Sequence, residues 1–119
     1  MLAKFTFPKS RRLTRSSEFE RVKKEGNAQH GKLLVVSALK AEVDSPGRAG
    51  FVTSRRIGRA AVRNRVRRRL REIVRKHQHE IGAGWWVVTI ARPAAAGATF
   101  VELEDAWLRL AKRASILAL

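Results

Sequence analysis

The apolar positions of this chain switch between a period near 3.6 and a period near 2, and the switches divide it into helices and strands. Ser17 with Glu20 three residues on has the form of a capping box, and Gly26 supplies a stop, so the pattern predicts a short helix over 17–25. Phe19 and Val22 fall on one side of it. A short edge strand follows Gly26, and then a strand over 32–40, Lys-Leu-Leu-Val-Val-Ser-Ala-Leu-Lys. Asp44-Ser45-Pro46-Gly47 reads as a turn, after which residues 48–54 are expected to pair back antiparallel. Val62, Val66, Leu70, Ile73 and Val74 then recur at helical spacing and mark the buried stripe of a helix that begins after Gly58. Gly82-Ala83-Gly84 breaks the chain before Trp85–Ala91, the clearest strand and the one expected deepest in a sheet. Thr99 and Glu102 form a second capping box for a last helix over 100–115, with Phe100, Leu103, Trp107, Leu110 and Ala114 on its apolar face.

The order is helix, three strands, helix, strand, helix: an α+β chain, arranged as a two-layer α/β sandwich. Strand parity extends the reading. Placing Ser37, Thr53 and Thr89 on one face brings Val35, Phe51 and Val87 with them, and leaves Val36, Val52, Trp86, Val88 and Ile90 as a wholly apolar second face. On this reading the two long helices cover the apolar face. The short helix borders the hydroxyl-bearing face as a cleft, with Arg55, Arg56, Arg59, Arg63 and Arg92 around its rim.

Charge changes the picture most at the central helix. From Arg55 to Lys76 there are ten Arg, one Lys and a single acid, Glu72, in a chain of net charge +16. Asn64, Arg68, Arg71 and Arg75 stand opposite the apolar stripe at steps of 4, 3 and 4, so the exposed line is a ridge of guanidinium groups. Like charges at these spacings repel unless an anion intervenes. A merely solvated face is usually served by mixed Glu and Lys. A one-signed run of Arg suits bidentate phosphate contacts and base stacking. Arg55, Arg56, Arg59 and Arg63 gather where free backbone N–H groups also attract phosphate. The ligand is therefore a nucleic acid. Residues 1–15 carry Lys9, Arg11, Arg12 and Arg15 among Phe5, Phe7 and Pro8, and read as a basic, flexible arm.

At 119 residues with 45% hydrophobic content the chain can bury one modest core, so a single domain over 1–119 is expected. Having no cysteine, it has neither disulfides nor thiolate metal sites. It shows neither a signal-peptide pattern nor an apolar run long enough to span a membrane, so a soluble, cytoplasmic protein is expected. His30, His77 and His79 lack partners at metal-ligand spacing, and the ten acids are scattered, so no catalytic centre and no metal site of the protein's own are predicted.

The run Thr-Ser-Arg-Arg-Ile-Gly-Arg-Ala-Ala-Val-Arg-Asn-Arg-Val-Arg-Arg-Arg-Leu-Arg-Glu resembles the signature of the bacterial ribonuclease P protein subunit, whose core is Arg-Asn-Arg. The Arg-Leu-Thr and Glu-Phe of residues 12–19, the strand-rich middle and Ala-Arg-Pro at 91–93 resemble that family too. The resemblance implies an unusual left-handed βαβ crossover through the basic helix. It also implies a catalytic RNA subunit that carries the chemistry with bound Mg²⁺, and a protein, monomeric in the particle, that assists removal of the 5′ leader from precursor tRNA. The catalytic RNA would be bound through Arg55, Arg56, Arg59, Arg63, Asn64, Arg65, Arg67, Arg68 and Arg71. The leader would lie in a cleft of Phe19, Lys23, Val35, Ser37, Phe51, Thr53 and Arg92. The resemblance implies a second aromatic, present in many members of the family, where this chain has Lys23, which substitutes a phosphate contact for part of a two-aromatic stacking clamp. The alternatives are a ribosomal or chaperone-like RNA binder, and a basic-region DNA-binding factor. The latter lacks the zipper it would need, because a Gly-broken strand follows the helix.

Overall fold

The computed structural model of the chain describes residues 12–41 and 47–117. Its elements are α1 (Ser16–Glu25), β1 (Asn27–His30), β2 (Leu34–Lys40), β3 (Arg48–Val52), α2 (Ala60–His77), β4 (Trp85–Ala91) and α3 (Phe100–Arg113). The order is the expected α-β-β-β-α-β-α. Most of the arm, residues 1–11, and the turn at 44–46 lie outside the described residues.

The first helix starts one residue early and is capped differently. Glu18, not Glu20, reaches back, its Oε1 accepting the backbone N–H groups of Thr14 and Arg15 at 2.9 Å each. Glu18 wins because its other oxygen meets Arg48 Nη1 at 2.8 Å, joining the cap to the sheet. The end of the supposed arm is anchored with it. Leu13 is buried, and its N–H donates to Ala49 O at 2.8 Å, while Arg12 bridges Ala49 in the parallel sense.

The sheet order is β1-β2-β4-β3. Contrary to the antiparallel β2–β3 pairing expected, β4 lies between them, antiparallel to β2 and parallel to β3. A connection of 32 residues that carries a helix separates β3 from β4, and such a crossover is what parallel neighbours require. The most apolar strand thereby takes a central place, as its composition anticipates.

Registry also corrects the parity. Val36 lies beside Thr89, and Thr89 beside Phe51, whereas Ser37 lies beside Val88. One face therefore carries Leu34, Val36, Ala38, Val87, Thr89, Ala49 and Phe51, and packs on Val66, Leu70, Ile73 and Val74 of α2 and Leu103, Trp107 and Leu110 of α3. The other face carries Val35, Ser37, Trp86, Val88, Ile90 and Val52 and meets α1 through Val22 and Phe19. The hydroxyls do not cluster. Thr89 is buried beneath α3, where its Oγ1 accepts the Trp107 indole N–H at 3.0 Å. A hydroxyl so paired is compatible with a core position.

Candidate RNA interface

Two surfaces carry the residues singled out from sequence. The first is α2. Four apolar residues of its stripe, Val66, Leu70, Ile73 and Val74, are buried as expected, and Val62 is half-buried. A short 3-10 turn over Arg55–Ile57 leads into it, and Gly58 sits at φ +145°, a region that side chains strain to enter. Arg59 is the N-cap and caps with no side-chain bond.

The guanidinium groups of α2 divide by partner. Arg63 turns back to donate to Gly58 O at 3.2 Å, so it braces the turn instead of lining the α1 cleft. Arg65 donates to Ala96 O and Arg69 to Ala98 O, both at 2.9 Å, and together they hold the 93–98 loop against the helix. Arg67 spans from Asn64 Oδ1 at 3.1 Å to Thr53 Oγ1 at 2.6 Å. Arg75 pairs with Glu72, whose carboxyl is held below the usual range mainly by the hydrogen bond from Arg75. Arg55, Arg56, Arg59, Arg68 and Arg71 are exposed, and their side chains have no partner among the described residues. The acceptors of Arg63, Arg65, Arg67 and Arg69 are neutral, so among these ten arginines only Arg75 meets a carboxylate, and the remaining charge makes a local field that attracts a polyanion.

The second surface is the α1 side of the sheet. Val35, Ile90 and Val52 stand in one registered row across β2, β4 and β3, with His30 of β1 beside Val35, and all three apolar side chains are half-buried. They form an apolar floor beside α1. Beyond that row the chain leaves β3 toward Arg55 and Arg56, and leaves β4 at Arg92, which is exposed and donates to Gly31 O at 3.2 Å. Cations thus lie at the end of the sheet where the floor is open. Phe19 is half-buried, its ring lying over Gly50, and Lys23 is exposed. Of the expected cleft residues, Phe19, Val35 and Ser37 belong to this side of the sheet, Ser37 being buried. Phe51 and Thr53 do not: Phe51 packs with the α2 and α3 core, and Thr53 is tied to Arg67. Ile90 and Val52 take their places. Sequence parity missed them because alternation within a strand does not say which neighbour it is aligned with.

The α1 side is further organised by cations over an aromatic. Arg21 and Arg48 each lie 5.4 Å from the centroid of the Trp86 ring, and Arg48 Nη2 donates to Arg12 O at 2.8 Å. Burial pushes the Glu18 carboxyl up. The N–H groups of Arg15 and Thr14 and the Arg48 guanidinium outweigh it and hold the group below its ordinary range.

These features define an α+β protein with a strongly basic helix packed on a mixed sheet. The family model described as Ribonuclease P matches residues 7–115. The chain is 45% identical over 107 residues to the ribonuclease P protein component of Acidothermus cellulolyticus, covering 89% of each. It is 38% identical over 109 residues to that of Symbiobacterium thermophilum, covering 92% of this chain and 95% of the relative. The structure of the RNase P protein from Staphylococcus aureus superposes with a TM-score of 0.84 at 25% identity, covering 92% of this chain and 99% of that one. That from Thermotoga maritima superposes at 0.76 with 31% identity, covering 86% and 96%. The chain belongs to the bacterial ribonuclease P protein family. It is the protein subunit of a ribonucleoprotein that processes tRNA, and its partner is the RNase P RNA. No helix among the described residues is long and apolar enough to cross a membrane.

Proposed function

We propose that the chain works as one RNA-binding domain with two separate RNA surfaces. The free ridge of α2 and its entry turn bind the catalytic RNA. The floor beside α1 holds the single-stranded 5′ leader of precursor tRNA. The protein is monomeric in a cytoplasmic particle, and the RNA subunit with its Mg²⁺ removes the leader endonucleolytically. The observation that carries this reading is the division of the α2 arginines: the flanking ones are spent on the protein's own carbonyls, hydroxyls and Glu72, while Arg55, Arg56, Arg59, Arg68 and Arg71 are left to an external anion. A ribosomal or chaperone-like role would use the same ridge, but the family membership favours ribonuclease P.

The test is the double variant Arg68→Ala, Arg71→Ala in the free protein. Each substitution removes about one phosphate contact, so affinity for the catalytic RNA falls and the slope of log affinity against log salt flattens. Cleavage at saturating protein persists. Unchanged affinity and slope would remove the ridge from the interface. For the leader surface, Phe19→Ala is expected to cost about 1–3 kcal/mol in precursor tRNA affinity, the range for a lost base stack, while mature tRNA is bound as before.

A further inference from the structure

Over the outer edge of β3, between α1 and α2, lies a notch of about 160 Å³ that joins the two RNA surfaces, sharing Phe19 with the α1 floor and Arg71 with the ridge of α2. Phe19 enters it from α1, Phe51 from β3, and Arg67 and Arg71 from α2, with Arg12 and Leu13 completing the wall. Its charge is one-signed: three guanidinium groups line it and no carboxylate does. The Arg12 Nε is buried and finds no hydrogen-bond partner among the described residues. Arg71 is exposed and likewise unpaired there. A buried N–H without an acceptor weakens the fold unless something external supplies one. The Arg12 backbone is fixed independently, bridging Ala49 and accepting from Arg48 Nη2 at 2.8 Å, so its side chain is held at the notch.

We propose that this notch binds one nucleotide of a single-stranded RNA, with Arg12 as its positioning residue. A phosphate oxygen or base carbonyl accepts from Arg12 Nε, Arg71 meets the phosphate while Arg67, held on Asn64 and Thr53, adds only its charge, and the base lies against Phe19 and Phe51. The volume is well below that of a pocket for a whole small-molecule ligand, and suits a single inserted group. Aromatic and guanidinium surfaces together are the usual means of gripping an unpaired base. The inference rests on the RNA-binding reading of α2 and adds a point where an RNA strand crosses from the α1 side of the sheet to the basic helix.

The decisive variant is Arg12→Met, which keeps the length of the side chain and removes the orphaned donor. Three measurements are made: the melt of the free protein, its affinity for the catalytic RNA, and the affinity of the reconstituted particle for precursor and mature tRNA. The melting temperature is expected to hold or rise. One RNA affinity is expected to fall about tenfold, with the salt slope smaller by about 0.7, the value for one phosphate of a single strand. A fall for precursor but not mature tRNA assigns the nucleotide to the leader, and a fall for the catalytic RNA assigns it there. Arg12→Lys, which keeps the charge but lacks Nε, is expected to restore the slope and only part of the affinity. If Arg12→Met lowers the melting temperature and leaves every RNA affinity intact, the notch serves the protein's own packing and the proposal is overturned. Unchanged melt and affinities overturn it equally. Arg68→Ala measured alongside separates the cases: a silent Arg68→Ala would mean that the RNA reading of α2 had failed, and not the notch alone.

Discussion

Gly50 offers a perturbation whose sign distinguishes the arrangement of Phe19 over the sheet from a loosely held aromatic. A methyl group at Gly50 would stand 2.5 Å from Phe19 Cζ, 2.6 Å from Cε1 and 3.2 Å from Leu13 Cβ. Carbon contacts settle near 3.5–4.0 Å, so the ring must retreat by about 1 Å. Retreat uncovers apolar surface that Phe19 shares with Val22, Trp86 and Val88. Overpacking of this kind costs about 1–3 kcal/mol. Ala in place of Gly within a strand otherwise stabilises by about 0.5–1 kcal/mol, because the unfolded chain has less freedom to lose. The net expectation for Gly50→Ala is a loss of about 0.5–2 kcal/mol, or roughly 2–8 °C in melting temperature for a domain of this size. Calorimetry on the free protein measures it, with Phe19→Ala and the double variant completing a cycle. In the Phe19→Ala background the added methyl group is expected to be neutral or stabilising. A Gly50→Ala protein that melts at or above the parent would refute the contact, and with it the placement of Phe19 at the wall of both the cleft and the notch.

Other consequences are open to measurement. Glu18 has its carboxyl held below its unfolded value, so its contribution is present above the unfolded pKa and is lost as pH falls through the folded one. Stability is therefore expected to drop below about pH 4, and Glu18→Gln to flatten that part of a pH series of denaturant melts. Thr89→Val leaves the buried Trp107 N–H without its acceptor and is expected to cost about 1–3 kcal/mol, with Trp107→Phe recovering part of the loss of polar pairing in the double variant. Gly58→Ala places a side chain at φ +145° and is expected to destabilise by about 1–3 kcal/mol, read from its unfolding midpoint.

The sequence by itself determined the elements, the capping of α3 by Thr99 and Glu102, the buried stripe of α2 and the exposure of Arg68 and Arg71 opposite it, although Arg75 of that ridge is paired with Glu72. All of these depend on spacing within a single segment, and a helix fixes which of its residues share a face. The Arg-Asn-Arg run carried the family for the same reason. What the tertiary structure decided lies between segments. Registry put Ser37 with Val88 and Thr89 with Val36, moving Phe51 and Thr53 away from the α1 floor and bringing Ile90 and Val52 to it. Each strand alternates correctly taken alone, but the offset between strands is set by which side chains the covering helices can bury. Here Trp107 drew Thr89 inward by giving its hydroxyl a partner. The arginines illustrate the same limit. Composition shows ten of them from residue 55 to 76, and only the approach of the 93–98 loop, Thr53, the Gly58 carbonyl and Glu72 separates those that brace the protein from those whose side chains have no partner among the described residues.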